Sequence, residues 1–189
     1  MNLHRVLRSF EGLRLLDRPA GVLSRFFGRL IDRSRLGGIL RGSWLGHPVH
    51  PLLITIPIGT WTASAVLDVL FKDVAAARRL VGVGLVAVPP TILAGWADYV
   101  LLDKPQQRVG LVHALLNAFG VSMFGLAYRA YGRDRNGAAR TFVILGLVAI
   151  GVGGALGGHL SYAQGAGMFR WQPARSVTPV GLDEYRRAA

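Results

Sequence analysis

Among its 189 residues the chain has no cysteine. Disulfides, thiolate metal ligands, covalent haem attachment through C-x-x-C-H and cysteine-ligated iron–sulfur clusters are therefore excluded from it. Acidic residues are also scarce, 10 against 22 Lys and Arg, which leaves a formal net charge of +12. Charge of either sign is missing throughout 141–169, whereas a water-soluble domain interrupts its apolar runs far more often. No nucleophile–base pair and no phosphate-binding glycine loop is visible, so hydrolytic and nucleotide chemistry have no support.

What the chain has instead is apolar sequence in long blocks. Four runs, 51–71, 79–102, 110–128 and 141–163, are each about 19–24 residues long, enough to cross a hydrocarbon layer of ~30 Å. The connections are short and rich in turn residues, as in Asp103-Lys104-Pro105-Gln106-Gln107 and Gly132-Arg133-Asp134-Arg135-Asn136-Gly137, so neighbouring helices run antiparallel. The expected fold is all-α: an integral membrane up-down four-helix bundle over 44–169, multi-pass in the cell membrane. A basic amphipathic segment, 1–43, precedes it and a polar tail, 170–189, follows. Pro57 and the pair Pro89-Pro90 are expected to kink or unwind the first two spans.

The N-terminal segment holds Arg5, Arg8, Arg14, Arg18, Arg25, Arg29, Arg33, Arg35 and Arg41 against Glu11, Asp17 and Asp32. Leu3, Val6, Leu7, Phe10, Leu13 and Leu16 recur among them at helical spacing, and Val22, Leu23, Phe26, Phe27, Leu30 and Ile31 repeat the pattern after Pro19. This fits interfacial helices on anionic lipid headgroups, not a nucleic-acid arm. The plainer alternative is a basic anchor without a specific partner. No continuous apolar stretch marks a cleavable signal peptide in this segment. The loops 72–79 and 129–140 are basic, which the positive-inside rule would place in the cytoplasm. A long arginine-rich tail resists translocation, however, and on that ground the termini are expected to be cytoplasmic.

Because successive spans alternate direction, one membrane face collects four helix ends. They carry His47 and His50, then Asp98, then His113 with Asn117, then His159 with Tyr162. His113, His159 and Asp98 each lie roughly 5–6 Å inside the expected boundary at 1.5 Å per residue. His50 borders it, His47 lies just outside, and His4 is expected at the surface. Ionisable groups inside spans face the bundle interior, so these histidines either bind helices together or bind a metal. Asp98 is expected to orient a histidine or relay protons, and Asn117 shares a helical face with His113. Trp44, Trp96 and Tyr99 read as an interfacial belt.

Two cofactors suit such a set. One is haem b between two axial histidines, His113 and His159 first and His50 as alternate, with Asp98, Asn117 and His47 around it and Arg41 or Arg108 near the propionates. The other is a bare Zn, Fe or Cu ion, which needs three or more converging ligands. The glycines of the last span, among them Gly153, Gly154, Gly157 and Gly158, either allow close helix packing or clear room for a flat cofactor beside His159.

The motifs Gly46-His47-Pro48-Val49-His50-Pro51-Leu52-Leu53, Gly95-Trp96-Ala97-Asp98-Tyr99, Arg108-Val109-Gly110-Leu111-Val112-His113-Ala114-Leu115-Leu116-Asn117 and Gly157-Gly158-His159-Leu160-Ser161-Tyr162-Ala163-Gln164-Gly165 together resemble a bacterial membrane family known as domain of unknown function 2231. The resemblance covers about 43–169 and implies a four-span fold. Similar proteins are often joined to Rieske or c-type cytochrome modules, which implies redox work. This chain has no cysteine for a Rieske centre, so its electron partner would be a separate Rieske or cytochrome protein. The expected function is a membrane redox protein passing electrons through a histidine-bound cofactor. The alternatives are a metal-ion or proton transporter, which the proline breaks and Asp98 favour, and a structural subunit of a homo- or hetero-oligomer.

Overall fold

The structure, a computed structural model, describes residues 3–32, 36–168 and 170–171. The side chain of His4 and the tail beyond Trp171 lie outside the described residues, so the expectations for them stand outside it too. No strand occurs among the described residues, and the chain is a succession of helices. Three short ones come first: α1 (Leu3–Ser9), α2 (Asp17–Asp32) and α3 (Leu36–Arg41). The first span is α4 (Val49–Leu53) followed by α5 (Thr55–Leu70). Then come α6 (Val74–Tyr99), α7 (Lys104–Tyr131) and α8 (Asn136–Gly158), which runs on as a π-helical turn, His159–Ala163.

Four helical stretches are long and apolar enough to cross a membrane: Val49–Leu70, Val74–Tyr99, Lys104–Tyr131 and Asn136–Ala163. They exceed the expected spans mainly at the ends where charge begins, because capping groups extend a helix beyond its apolar stretch. Asp103 accepts from the Gln106 N–H while the Gln106 side chain accepts from the Asp103 N–H, and Pro105 lies in the first turn; these residues are the start of α7. Asp73 caps α6 through the Ala76 N–H in the same way.

The prolines act unequally. Pro57 lacks the N–H that the Leu53 carbonyl would accept, and the first span is interrupted between Leu53 and Thr55. Pro89 and Pro90 sit inside α6 without interrupting it. Neighbouring helices pack in chain order, α5 on α6, α6 on α7 and α7 on α8, with α8 returning to α5.

The main core lies at the end away from the histidines. The Trp61 and Phe124 rings stack with centroids 3.9 Å apart, among Val81, Val88, Ala127, Val143 and Ile150. Large side chains need seats there. A Cβ on Gly84 would fall 2.2 Å from Trp61 Nε1, and one on Gly146 2.7 Å from the Phe124 ring. Nearer the helix ends, Asp68 is 1 % exposed and accepts from Tyr131 Oη and from both Nε and a terminal nitrogen of Arg140, joining α5, α7 and α8. The outward faces carry bare hydrophobics such as Val86, Val148 and Leu115. Apolar residues both inside and outside are what a bilayer solvent permits.

The amphipathic N-terminal segment folds across the histidine end of the bundle. Ala20 is buried with Tyr99 and Leu111, Phe27 stacks on Trp96 at 4.2 Å, and Leu7 and Phe10 pack against Val109, Leu156 and Leu160. One apolar face of the segment therefore meets protein where the sequence pattern suggested lipid. Trp96 and Tyr99 lie beneath it, not in an interfacial belt, whereas Trp44 is 68 % exposed.

Candidate functional site

His50 stands in the first turn of α4, which Pro48 introduces in an extended conformation. The chain reaches it through a tight turn at Gly42, whose φ of +81° and contact with the His47 carbonyl leave no room for a Cβ. His50 Nδ1 lies 3.0 Å from the carbonyl oxygen of Thr91 on α6. The imidazole rests against Gly95, where a Cβ would come within 3.0 Å of the ring.

His113 lies nine residues into α7, roughly 14 Å along its axis from Lys104. Its Nδ1 is 2.7 Å from the Gly153 carbonyl oxygen of α8. Gly157 leaves the ring its place, since a Cβ there would lie 3.0 Å from His113 Cε1. Asn117 donates from Nδ2 to the His113 carbonyl at 2.8 Å. The same nitrogen is 3.4 Å from both ring nitrogens, so it sits over the face of the ring. Gly153 makes room for that amide.

The His50 and His113 rings meet with centroids 6.3 Å apart and planes at 79°. A carbonyl oxygen only accepts, so each Nδ1 must carry the proton, and such a ring in its neutral form has its lone pair on Nε2. This is the tautomer in which a histidine binds a metal through Nε2, with its other nitrogen oriented by a backbone carbonyl.

The other candidates go elsewhere. His159 is 5 % exposed, and its Nε2 donates to Glu11 Oε1 at 2.8 Å. It sits where α8 turns into the π-helical turn. Asp98, expected to orient a histidine, accepts from Arg170 at 2.7 Å. His47 is exposed and its Nδ1 donates to the neighbouring Pro48 carbonyl at 2.7 Å. Tyr162 is 87 % exposed. Among the described residues no group of three or more His, Asp or Glu side chains could hold a metal ion. The glycines of α8 seat His113 and Asn117 on one side, while Gly151 and Gly154 have open space before them.

Neither arginine expected near propionates is free for that role. Arg108 grips both carboxylate oxygens of Asp17, at 2.6 and 2.9 Å, and donates to the Glu11 carbonyl at 2.6 Å. Arg41 donates to Asp32 at 2.8 Å and to the Ala97 carbonyl at 3.1 Å. The hydrogen bonds from the Arg108 guanidinium hold the Asp17 carboxyl below the usual carboxylate range. Glu11 and Asp17 thus clamp the N-terminal segment over the histidine end. Sequence reasoning missed both, because a lone carboxylate in an arginine-rich tail carries no signal of a distant partner.

Comparison with known proteins found no matching curated protein and no matching solved structure. Residues 46–170 match the family described as "Predicted membrane protein (DUF2231)", and the chain belongs to that family.

Proposed function

We propose that this chain is a membrane redox protein that binds haem b between His50 and His113 and passes electrons to a separate Rieske or cytochrome protein. The observation that carries the reading is the pair of imidazoles with both Nδ1 atoms turned onto backbone carbonyls. The ring centres are 6.3 Å apart, near enough that His50 and His113 would be the two residues to hold one iron through Nε2. Bound there, haem iron supplies one-electron chemistry. The protein would supply the two ligands and the backbone carbonyls that orient them.

A single bare ion is the second reading; His50 and His113 would give it two nitrogens, and its remaining ligands would have to come from beyond the His, Asp and Glu side chains of the described residues. The transporter alternative has less behind it. Between the histidine pair and the Asp68–Arg140 pair the core is built on Trp61, Val81, Val88 and Phe124, and the buried hydroxyls of Ser64 and Thr91 each donate to a backbone carbonyl, those of Ala77 and Ala87.

The test is a dithionite-reduced-minus-oxidised spectrum of the detergent-purified protein, with metal analysis of the same sample. A sharp α-band with about one iron per chain supports haem b. Stoichiometric zinc, copper or iron without a Soret band moves the site to a bare ion. Correctly folded protein holding neither after haem and metal supplementation overturns the proposal.

A further inference from the structure

We infer that the cavity between α2 and the start of α7 binds the phosphate headgroup of an anionic phospholipid, a site independent of the histidine pair. The cavity has a volume of about 460 Å³ and is lined by Asp17, Arg18, Val22, Arg25, Lys104 and Gln107, with Gly21 at its wall. Three cations face one carboxylate. That carboxylate already has both oxygens on Arg108, so the positive charge of Arg18, Arg25 and Lys104 outweighs the negative charge the cavity offers them. None of the three has an ion-pair partner among the described residues. Arg25 folds back along its own helix, its terminal nitrogen 3.5 Å from where a Gly21 Cβ would be.

The first turn of α7 cannot supply the binding by itself, because its capping box is already closed between Asp103 and Gln106. An anion entering the cavity must be held by the side chains. A phosphate monoanion or diester suits them, since guanidinium groups and an ammonium can surround its oxygens from different directions.

Two placements choose a lipid over a soluble phosphate. Lys104 is the first residue of a membrane-spanning helix, so the cavity opens at the level where headgroups lie. Val22 both lines the cavity and begins an exposed stripe with Phe26 and Leu30, which are 56, 60 and 56 % exposed at successive turns of α2. A ligand whose phosphate is joined to hydrocarbon uses the cations and the stripe together.

The experiment is native mass spectrometry of the full-length, detergent-solubilised protein titrated with phosphatidylglycerol, with phosphatidylcholine and inorganic phosphate as parallel arms. The expected result is one phosphatidylglycerol bound more tightly than any phosphatidylcholine. Affinity should fall about fivefold with Arg25→Gln and on the order of a hundredfold with Arg18→Gln, Arg25→Gln and Lys104→Gln combined. Arg133→Gln with Arg135→Gln, in the loop before α8, should leave it unchanged. An unaltered melting temperature verifies folding, and Arg25→Gln alone decides if the triple variant does not fold. Equal binding by the wild type and the Arg25 variant overturns the site. Saturation by inorganic phosphate with no preference for phosphatidylglycerol overturns the lipid as its ligand.

Discussion

Glu11 and His159 are 148 positions apart in sequence and 2.8 Å apart in space, the carboxylate accepting from Nε2 of a nearly buried imidazole. This bond, with Asp17 on Arg108, ties the N-terminal segment to the end of the bundle that holds the histidines. It also removes His159 Nε2 from the set of available metal ligands.

Replacing Glu11 with Gln keeps the shape but removes the charge. The segment should then open more readily, by about 1–2 kcal/mol. Hydrogen exchange in α1 and α2 should accelerate while α5 to α8 keep their protection. Unchanged exchange in those two helices would show that the bond does not hold the segment.

Docking should also respond to acid through Asp17. Its pKa in the folded protein is lowered by Arg108, so its contribution is fully present above the ordinary carboxylate value. It is lost as pH falls from there through the lowered value. Asp17→Asn should abolish that acid transition, followed by hydrogen exchange of α2 or by quenching of Trp96, against which Phe27 stacks. A transition of the same size in the variant would assign it to another group.

The cofactor proposal separates the histidines. His50→Ala and His113→Ala should each abolish stoichiometric haem or metal, whereas His159→Ala should retain it with a loosened N-terminal segment. Loss of the cofactor in His159→Ala with full retention in His50→Ala would reverse the assignment.

Glycines provide a finer test. Gly157→Ala places a methyl about 3.0 Å from the His113 ring and should cost about 1–3 kcal/mol by forcing it to shift, with weaker cofactor retention. Gly154→Ala faces open space and should be neutral or stabilising by up to about 1 kcal/mol. Thermal unfolding and absorbance of the two variants, compared directly, check both expectations.

At the other end of the bundle, Arg140→Ala should lower the melting temperature more than Asp68→Asn. The first leaves a carboxylate that is 1 % exposed without its cation. The second leaves an arginine that can reach water and should cost about 1–3 kcal/mol. Equal shifts would mean that water or another group reaches Asp68.

Chain-local signals determined a good deal of this protein. Runs of about twenty apolar residues require helices in a bilayer, because an unpaired backbone group in hydrocarbon costs several kcal/mol. Asp103, Pro105 and Gln106 mark the start of α7 by capping chemistry alone. Alternating span direction was enough to bring His50, Asp98, His113 and His159 to one end. Tertiary structure decided what they do there. Asp98 is joined to Arg170 and His159 to Glu11, while His50 and His113 each bond a carbonyl of a facing helix. Such choices depend on helix rotation, on which glycine yields space to which ring, and on a carboxylate, Glu11, supplied from over a hundred residues away. Periodicity gives a side chain's face and depth on its own helix, but its partner is set by the packing of all the helices together.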